Sequence, residues 1–173
     1  ARASADYTVV AEPAPPAAAT LENRHARLVI DAQGRIASLI GTASKRELLA
    51  QPQELVSVRL ADGRQATARR ASRRGGTVTF EFARGLGRAE IDVAAHRDFF
   101  TFGVRSLTVT NVAALTFLQV PVVPATHCGP MANLLSDDAD AVCVRGYELP
   151  VEMSAGGRPP ALRAWTTAEH GLT

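Results

Sequence analysis

Between Thr77 and Ala83 the chain reads TVTFEFA, which puts Val78, Phe80 and Phe82 on one side and Thr77, Thr79 and Glu81 on the other. A period of two belongs to an extended strand with one face toward a core and one toward water. The same alternation returns along most of the chain, cut by Gly-rich turns. Arg27–Asp31, Ala32-Gln33-Gly34 and Arg35–Ile40 read as a hairpin with Gly34 in its turn. Glu54–Leu60, Gln65–Ser72, Ala89–Ala94, Phe99–Val109 and Leu115–Val123 read as further strands, and Ala141–Arg145, Leu149–Met153 and Ala161–Thr166 as three short ones. Residues 125–138 read as loop. Pro121 and Pro124 argue that the end of the Leu115–Val123 strand lies at a sheet edge or exits the sheet.

About ten short strands with no long amphipathic helix exclude a strand–helix alternation and predict an antiparallel β-sandwich. The one helical expectation is a single turn over Ser44–Ala50, with Ser44 as N-cap and Glu47 completing a capping box before Pro52. Residues 1–20 contain the Pro- and Ala-rich stretch AEPAPPAAA and read as a tether, with Tyr7–Val10 as a short strand before it. The folded body is then expected over 21–173. Ala168–Thr173 reads as a turn leading onward, so the natural polypeptide is expected to continue past Thr173, or the chain to be a cut piece.

Composition narrows the function classes. At 46% hydrophobic residues and a net charge of +2 the chain can bury a core. Its basic residues are interleaved with acidic ones, which argues against nucleic acid. The exception, Arg69, Arg70, Arg73 and Arg74, has no interleaved aromatics and reads as a solvated hairpin end, or else as a contact for a small anion or acidic sugar. Lys45 is the only lysine, a bias that fits a GC-rich bacterial genome. No apolar run is long enough for a membrane helix, and Ala1–Val10 has no signal-peptide core. Cys128 and Cys143, with 14 residues between them, allow either one disulfide or two reduced thiols. No spacing of Cys and His suggests a metal, and no cofactor is expected.

Catalytic signals are sparse. There is no GxSxG elbow, and His127 and Cys128 are adjacent on an extended chain, so they point to opposite sides. Of the four histidines, His25, His96, His127 and His170, the last two read as loop residues and are candidate ligand contacts. Glu148, Glu152 and Glu169 are the carboxylates that could accompany them. Phe80, Phe82, Phe99, Phe102 and Phe117 lie in strand patterns and are expected in the core. Trp165, Tyr147 and Tyr7 remain as candidate stacking residues.

The opening Leu21-Glu22-Asn23 through Leu39-Ile40, followed by Glu47-Leu48-Leu49, resembles that of the galactose-mutarotase-like β-supersandwich domains. Phe117–Val123 is similar to one of their strands ending in proline. Such domains accompany bacterial glycoside hydrolases and polysaccharide lyases. The resemblance implies a non-catalytic accessory domain, secreted or periplasmic, that packs on a catalytic domain of the same polypeptide and helps shape a sugar-binding cleft. Mutarotases use histidines and a glutamate in the concave face of the sandwich. No local motif assigns those roles to His96, His127 or Glu152. Two alternatives stand beside this reading. One is an independent carbohydrate-binding module acting through arginines and Trp165. The other is a small epimerase-type enzyme with His127 and His170 as acid and base.

Overall fold

The computed structural model describes residues 16–123, 126–147 and 151–170. Among them the chain is all-β, and every strand pairing is antiparallel. One sheet of four strands runs in chain order: β1 (Ala17–Glu22), β2 (Ala26–Asp31), β3 (Arg35–Gly41) and β4 (Gln53–Glu54). A sheet of eight holds β5 (Ser57–Leu60), β6 (Gln65–Arg74), β7 (Thr77–Phe82), β8 (Arg88–Ala95), β9 (Phe100–Leu107), β10 (Val112–Pro121), β14 (Glu152–Gly156) and β15 (Ala161–Thr167). Its order is β14-β15-β10-β5-β6-β7-β8-β9. A small sheet joins β11 (His127–Gly129), β12 (Leu134–Ser136) and β13 (Ala141–Cys143).

The alternation in the sequence becomes the core directly. Val78, Phe80 and Phe82 of β7 are buried, as are Ile91 and Val93 of β8 and Leu28, Ile30, Ile36 and Leu39 of the hairpin. Residues from both large sheets merge into one apolar cluster. Each fully buried Phe, Ile or Leu side chain contributes about 1.5–3 kcal/mol by leaving water, before ordering costs are counted. The sandwich expected from the period-two pattern is therefore observed.

Several boundaries differ. Ala17–Ala19 pair with β2 as part of β1, four residues before the folded body was expected to begin. Residues 1–15, including Tyr7–Val10, lie outside the described residues. The stretch read as loop over 125–138 contains β11 and β12, whose three residues each are too short to show a period. The expected strand over Leu149–Met153 begins only at Glu152, and residues 148–150 lie outside the described ones.

Ser44–Ala50 forms no helical turn. Glu47 bridges to Ile40 and Leu49 bridges to Val122, so the segment is extended. The Glu47 carboxylate accepts hydrogen bonds from the backbone N–H of Leu39 at 2.7 Å and of Leu49 at 3.0 Å. A carboxylate so placed stitches this segment to β3 and leaves Ser44 nothing to cap; the Ser44 hydroxyl is buried without a partner. Pro121 is not at a sheet edge: it pairs with Ala161 of β15 on one side, and where β5 pairing stops at Thr116 the Leu49–Ala50 segment takes over on the other, with Ala50 N–H donating to the Pro121 carbonyl at 2.9 Å; Pro124 lies outside the described residues.

Two polar clusters fix the layers. At the tip of the β2–β3 hairpin the fully buried Asp31 accepts hydrogen bonds from the backbone N–H of Gln33 at 3.0 Å and of Arg35 at 2.9 Å, and from Arg35 Nε at 2.8 Å. In the small sheet, Arg46 grips Asp137 at 2.9 Å and Asp140 at 3.0 Å, tying the turn between β12 and β13 to the segment after β3.

Replacing Asp31 with Ala leaves two backbone N–H groups and Arg35 unanswered, and should cost about 2–4 kcal/mol in chemical denaturation. A loss below about 0.5 kcal/mol would mean that water satisfies the tip. The Asp137 carboxyl is held well below the usual range, first by the Arg46 hydrogen bond and then by the N–H groups of Ala139 and Asp140. A depressed folded pKa gives stability that is present above the unfolded value of about 4 and is lost as pH falls through the folded one. Asp137→Asn should therefore be less stable than the parent at pH 7, and should lose less stability between pH 4 and pH 2.

Candidate functional site

The curl of the eight-stranded sheet brings β9 across from β10 and β15 without closing the interior between them. The result is an open groove of about 1160 Å³. Its walls carry Phe100, Phe102 and Val104 from β9 on one side, and Phe117, Leu118 and Leu162 from β10 and β15 on the other. Those β9 residues face inward because they pair with Ala95, Val93 and Ile91, whose side chains belong to the core face of β8. The opposite face of β8 and β9 is polar. There Asp92 accepts a hydrogen bond from the Thr77 hydroxyl at 2.6 Å and from Arg105 Nε at 3.1 Å, and Glu90 accepts from Ser106 at 2.9 Å. The Thr77 and Arg105 contacts lower the Asp92 pKa, Thr77 foremost.

The polar chemistry gathers at one end of the groove. The β1–β2 turn, Asn23–His25, is set by the Asn23 carboxamide oxygen, which accepts from the backbone N–H of His25 and of Ala26 at 2.9 Å each. The β8–β9 turn, His96–Phe99, is closed by the His96 N–H donating to the Phe99 carbonyl at 2.9 Å. The two turns meet through an ion pair between Arg24 and Asp98. Arg24 Nε also donates to His25 Nε2 at 2.9 Å, and Asp98 Oδ1 lies 3.5 Å from that nitrogen.

Beside this cluster stand three rings. His96 stacks on Phe99 with centroids 4.6 Å apart and planes at 24°, and Tyr147 lies 6.5 Å from Phe99 at a tilt of 41°. Phe99 is 45% exposed and Tyr147 is 79% exposed, so both offer ring faces to water.

The candidates from the sequence separate. Tyr147 lies on the groove wall. Trp165 does not: Leu162, Ala164 and Thr166 of β15 face the groove, so Trp165, half-buried, faces the other side of the sheet with its pairing partners Thr116 and Glu152. His127, read as a loop residue, is an exposed strand residue of β11 paired with Ser136 and is not on the groove wall. His170 ends a 3-10 turn, Ala168–His170, and its side chain lies outside the described residues, as does Glu148. Of the arginine cluster, Arg73 bonds the carbonyls of Gly75 and Thr20 at a hairpin end, and none of the four lines the groove.

Phe99 is the main residue that the sequence misplaced. It was read into the β9 strand and the core, but it closes the turn before β9 and is exposed. His25 gave no signal because its partner Asp98 lies on another turn, and His96 gave none because its neighbours Phe99 and Thr101 form no chemical motif with it.

Cys128 and Cys143 are both exposed free thiols. They sit on the outer strands of the small sheet with β12 between them, about 9.5 Å apart in backbone spacing. Cys128 pairs with Leu135, which pairs with Val142, so Cys143 projects from the opposite face. Alpha carbons more than about 7 Å apart with diverging side chains cannot be bridged in place. The disulfide alternative is thereby corrected in favour of two reduced thiols. Among the described residues no three His, Cys, Asp or Glu converge as a metal site, and no helix is long and apolar enough to cross a membrane.

No protein-family model, curated protein or solved structure matches the chain.

Two thiols per chain should react with Ellman's reagent under native conditions without prior reduction. A stoichiometry of zero that rises to two only after reduction would restore the disulfide.

Proposed function

We propose that this chain is a non-catalytic accessory domain of a bacterial carbohydrate-active enzyme, a glycoside hydrolase or polysaccharide lyase. The groove floor docks on the catalytic domain, and the loop end forms one wall of a sugar-binding cleft. The observation that carries this reading is the open interior between β9 and β10–β15. Val104, on an inward-facing position of β9, is 38% exposed, while its pairing partner Ile91 is fully buried. An apolar interior that ends in water is the mark of a surface meant to be covered.

Size favours a protein occupant for the floor. Small-molecule sites usually enclose about 300–1,000 Å³ and place a few polar groups around an apolar pocket. This groove exceeds that range, and its lining is mainly apolar, with Thr77, Asp92, Arg105 and Thr166 among the polar residues. The resemblance of Leu21–Ile40 to the opening of supersandwich domains supplies the enzyme class. A secreted or periplasmic location follows from the same reading, because polysaccharide substrates are met there.

The epimerase alternative has no support from the groove, since His127 is not on its wall. The binding-module alternative, as first framed around Trp165, loses its platform to the other face of β15.

The reading frame that encodes this chain should also encode a glycosidase or lyase domain. Produced separately, that domain should bind the chain in titration calorimetry, and Val104→Asp should weaken binding at least about tenfold by placing a carboxylate in the apolar contact. The chain alone should turn over no oligosaccharide. A frame with no such domain, binding indifferent to Val104→Asp, or robust turnover by the isolated chain overturns the proposal.

A further inference from the structure

We propose that Phe99 and Tyr147, at the loop end of the groove, form a stacking subsite for one pyranose ring of a polysaccharide, with Asp98, Arg24 and His25 holding its hydroxyls. The inference rests on the accessory-domain reading and adds to it the side chains that would touch sugar.

Phe99 is an uncommon residue to leave half in water. A phenyl ring buries a large apolar area when it can. Here the four-residue turn His96–Phe99 holds it at the groove's rim, with the His96 ring packed against it at 4.6 Å. The His96 ring is held in turn, with its Nε2 lying 3.2 Å from the Thr101 hydroxyl. A side chain braced this way has little rotamer freedom left to lose on binding, which is how a stacking platform is preorganised. Tyr147 extends the apolar surface by a second ring with a hydroxyl at its rim.

The polar groups beside the rings match a polyol. Asp98 uses Oδ1 toward Arg24 and His25. Among the described residues its Oδ2 accepts no hydrogen bond, so it remains an acceptor. The His25 ring has a second nitrogen, Nδ1, next to the terminal N–H groups of Arg24, which can donate. A sugar hydroxyl both donates and accepts, so an exposed carboxylate oxygen next to unused N–H groups can hold a vicinal pair of hydroxyls.

A pyranose presents an apolar C–H face flanked by such hydroxyls, and this end of the groove presents an apolar ring pair flanked by their complements. The charges of Arg24 and Asp98 are already paired, so the cluster offers no concentrated positive field of the kind a nucleotide phosphate would need. The subsite stands apart from the docking floor. Val104 is five residues along the chain from Phe99, about 16 Å at strand rise.

The test uses the whole chain and soluble oligosaccharides of neutral hexoses, of pentoses and of uronic acids, followed by calorimetry and by the exchange-broadening of assigned amides. At least one class should bind with a dissociation constant of about 1 mM or tighter. Shifts should map to Asn23–His25, His96–Phe99 and Tyr147. Phe99→Ala and Tyr147→Ala should each weaken binding about tenfold or more, in line with loss of one stacked ring. Tyr147→Phe should keep most of the affinity. Both wild-type positions are exposed, so melting temperatures should hold and exclude misfolding as the cause.

Val104→Asp, which tests docking, should leave sugar binding unchanged. The two readings therefore fail separately. Binding by none of the oligosaccharides, or binding that survives both alanine variants, overturns the subsite whatever the outcome for docking.

Discussion

The tip of the β2–β3 hairpin is where the two large sheets are locked together. Gly34 takes a φ of +83° there, and a β-carbon at that position would lie 3.2 Å from both Ala68 Cβ and Phe80 Cδ1. Only glycine lets the backbone of one sheet press this closely on the side chains of the other. A hydrogen bond joins the sheets at this contact: Ala71 N–H of β6 donates to the Ala32 carbonyl at 2.8 Å. The buried Asp31 carboxylate makes the conformation the tip's own by answering the N–H groups of Gln33 and Arg35. With the hairpin seated, Ile30 and Ile36 are delivered fully buried into the shared core.

That seating also decides where the core ends. The four-stranded sheet lies against the middle of the eight-stranded one, with β1 touching β6 and β8. Strand β9 is one place farther out, and its inward face meets the groove. The sheet chemistry does not change between β8 and β9. Both alternate apolar inside and polar outside, and Asp92–Arg105 and Glu90–Ser106 pair across the outer face. What changes is the opposing layer. The exposure of Val104 is thus a consequence of the fold's layering, and the groove is an unfinished piece of core.

The sequence displayed the fold wherever local chemistry dominates. The alternation of Thr77–Phe82 and the turn at Gly34 are both set by residues within a few places of one another. It failed where a distant partner decides. Ser44 and Glu47 have the spacing of a capping box, but Glu47 finds the β3 backbone, and extended pairing with Ile40 and Val122 wins over a single helical turn. The strands β11 to β13 are three residues long and exist because Arg46 anchors their turn from far away in the chain. Tyr147 was legible by elimination among few aromatics. Phe99 was not, because one residue separates a strand position from a turn position, and the sequence pattern cannot fix a boundary that finely.

The same boundary separates two kinds of side chain around one groove. An inward residue of a β-strand projects at right angles to its sheet, so Phe100 and Phe102 send their rings toward the opposite wall and are suited to interdigitate with another protein's side chains. A residue closing a hairpin turn escapes that geometry. Phe99 can be braced on one face by His96 and show its other face to solvent, which a strand position does not permit. The polar neighbours follow the same logic. Side chains on strands pair with their cross-strand partners, as Asp92 does with Arg105. Those on turns, such as Asp98 and His25, keep unused donors and acceptors for something outside the chain. Under the proposed reading, a groove with an apolar floor and a turn-built mouth would divide its work by backbone geometry, the strands offering area to a partner and the turns hydrogen bonds to a ligand at its rim.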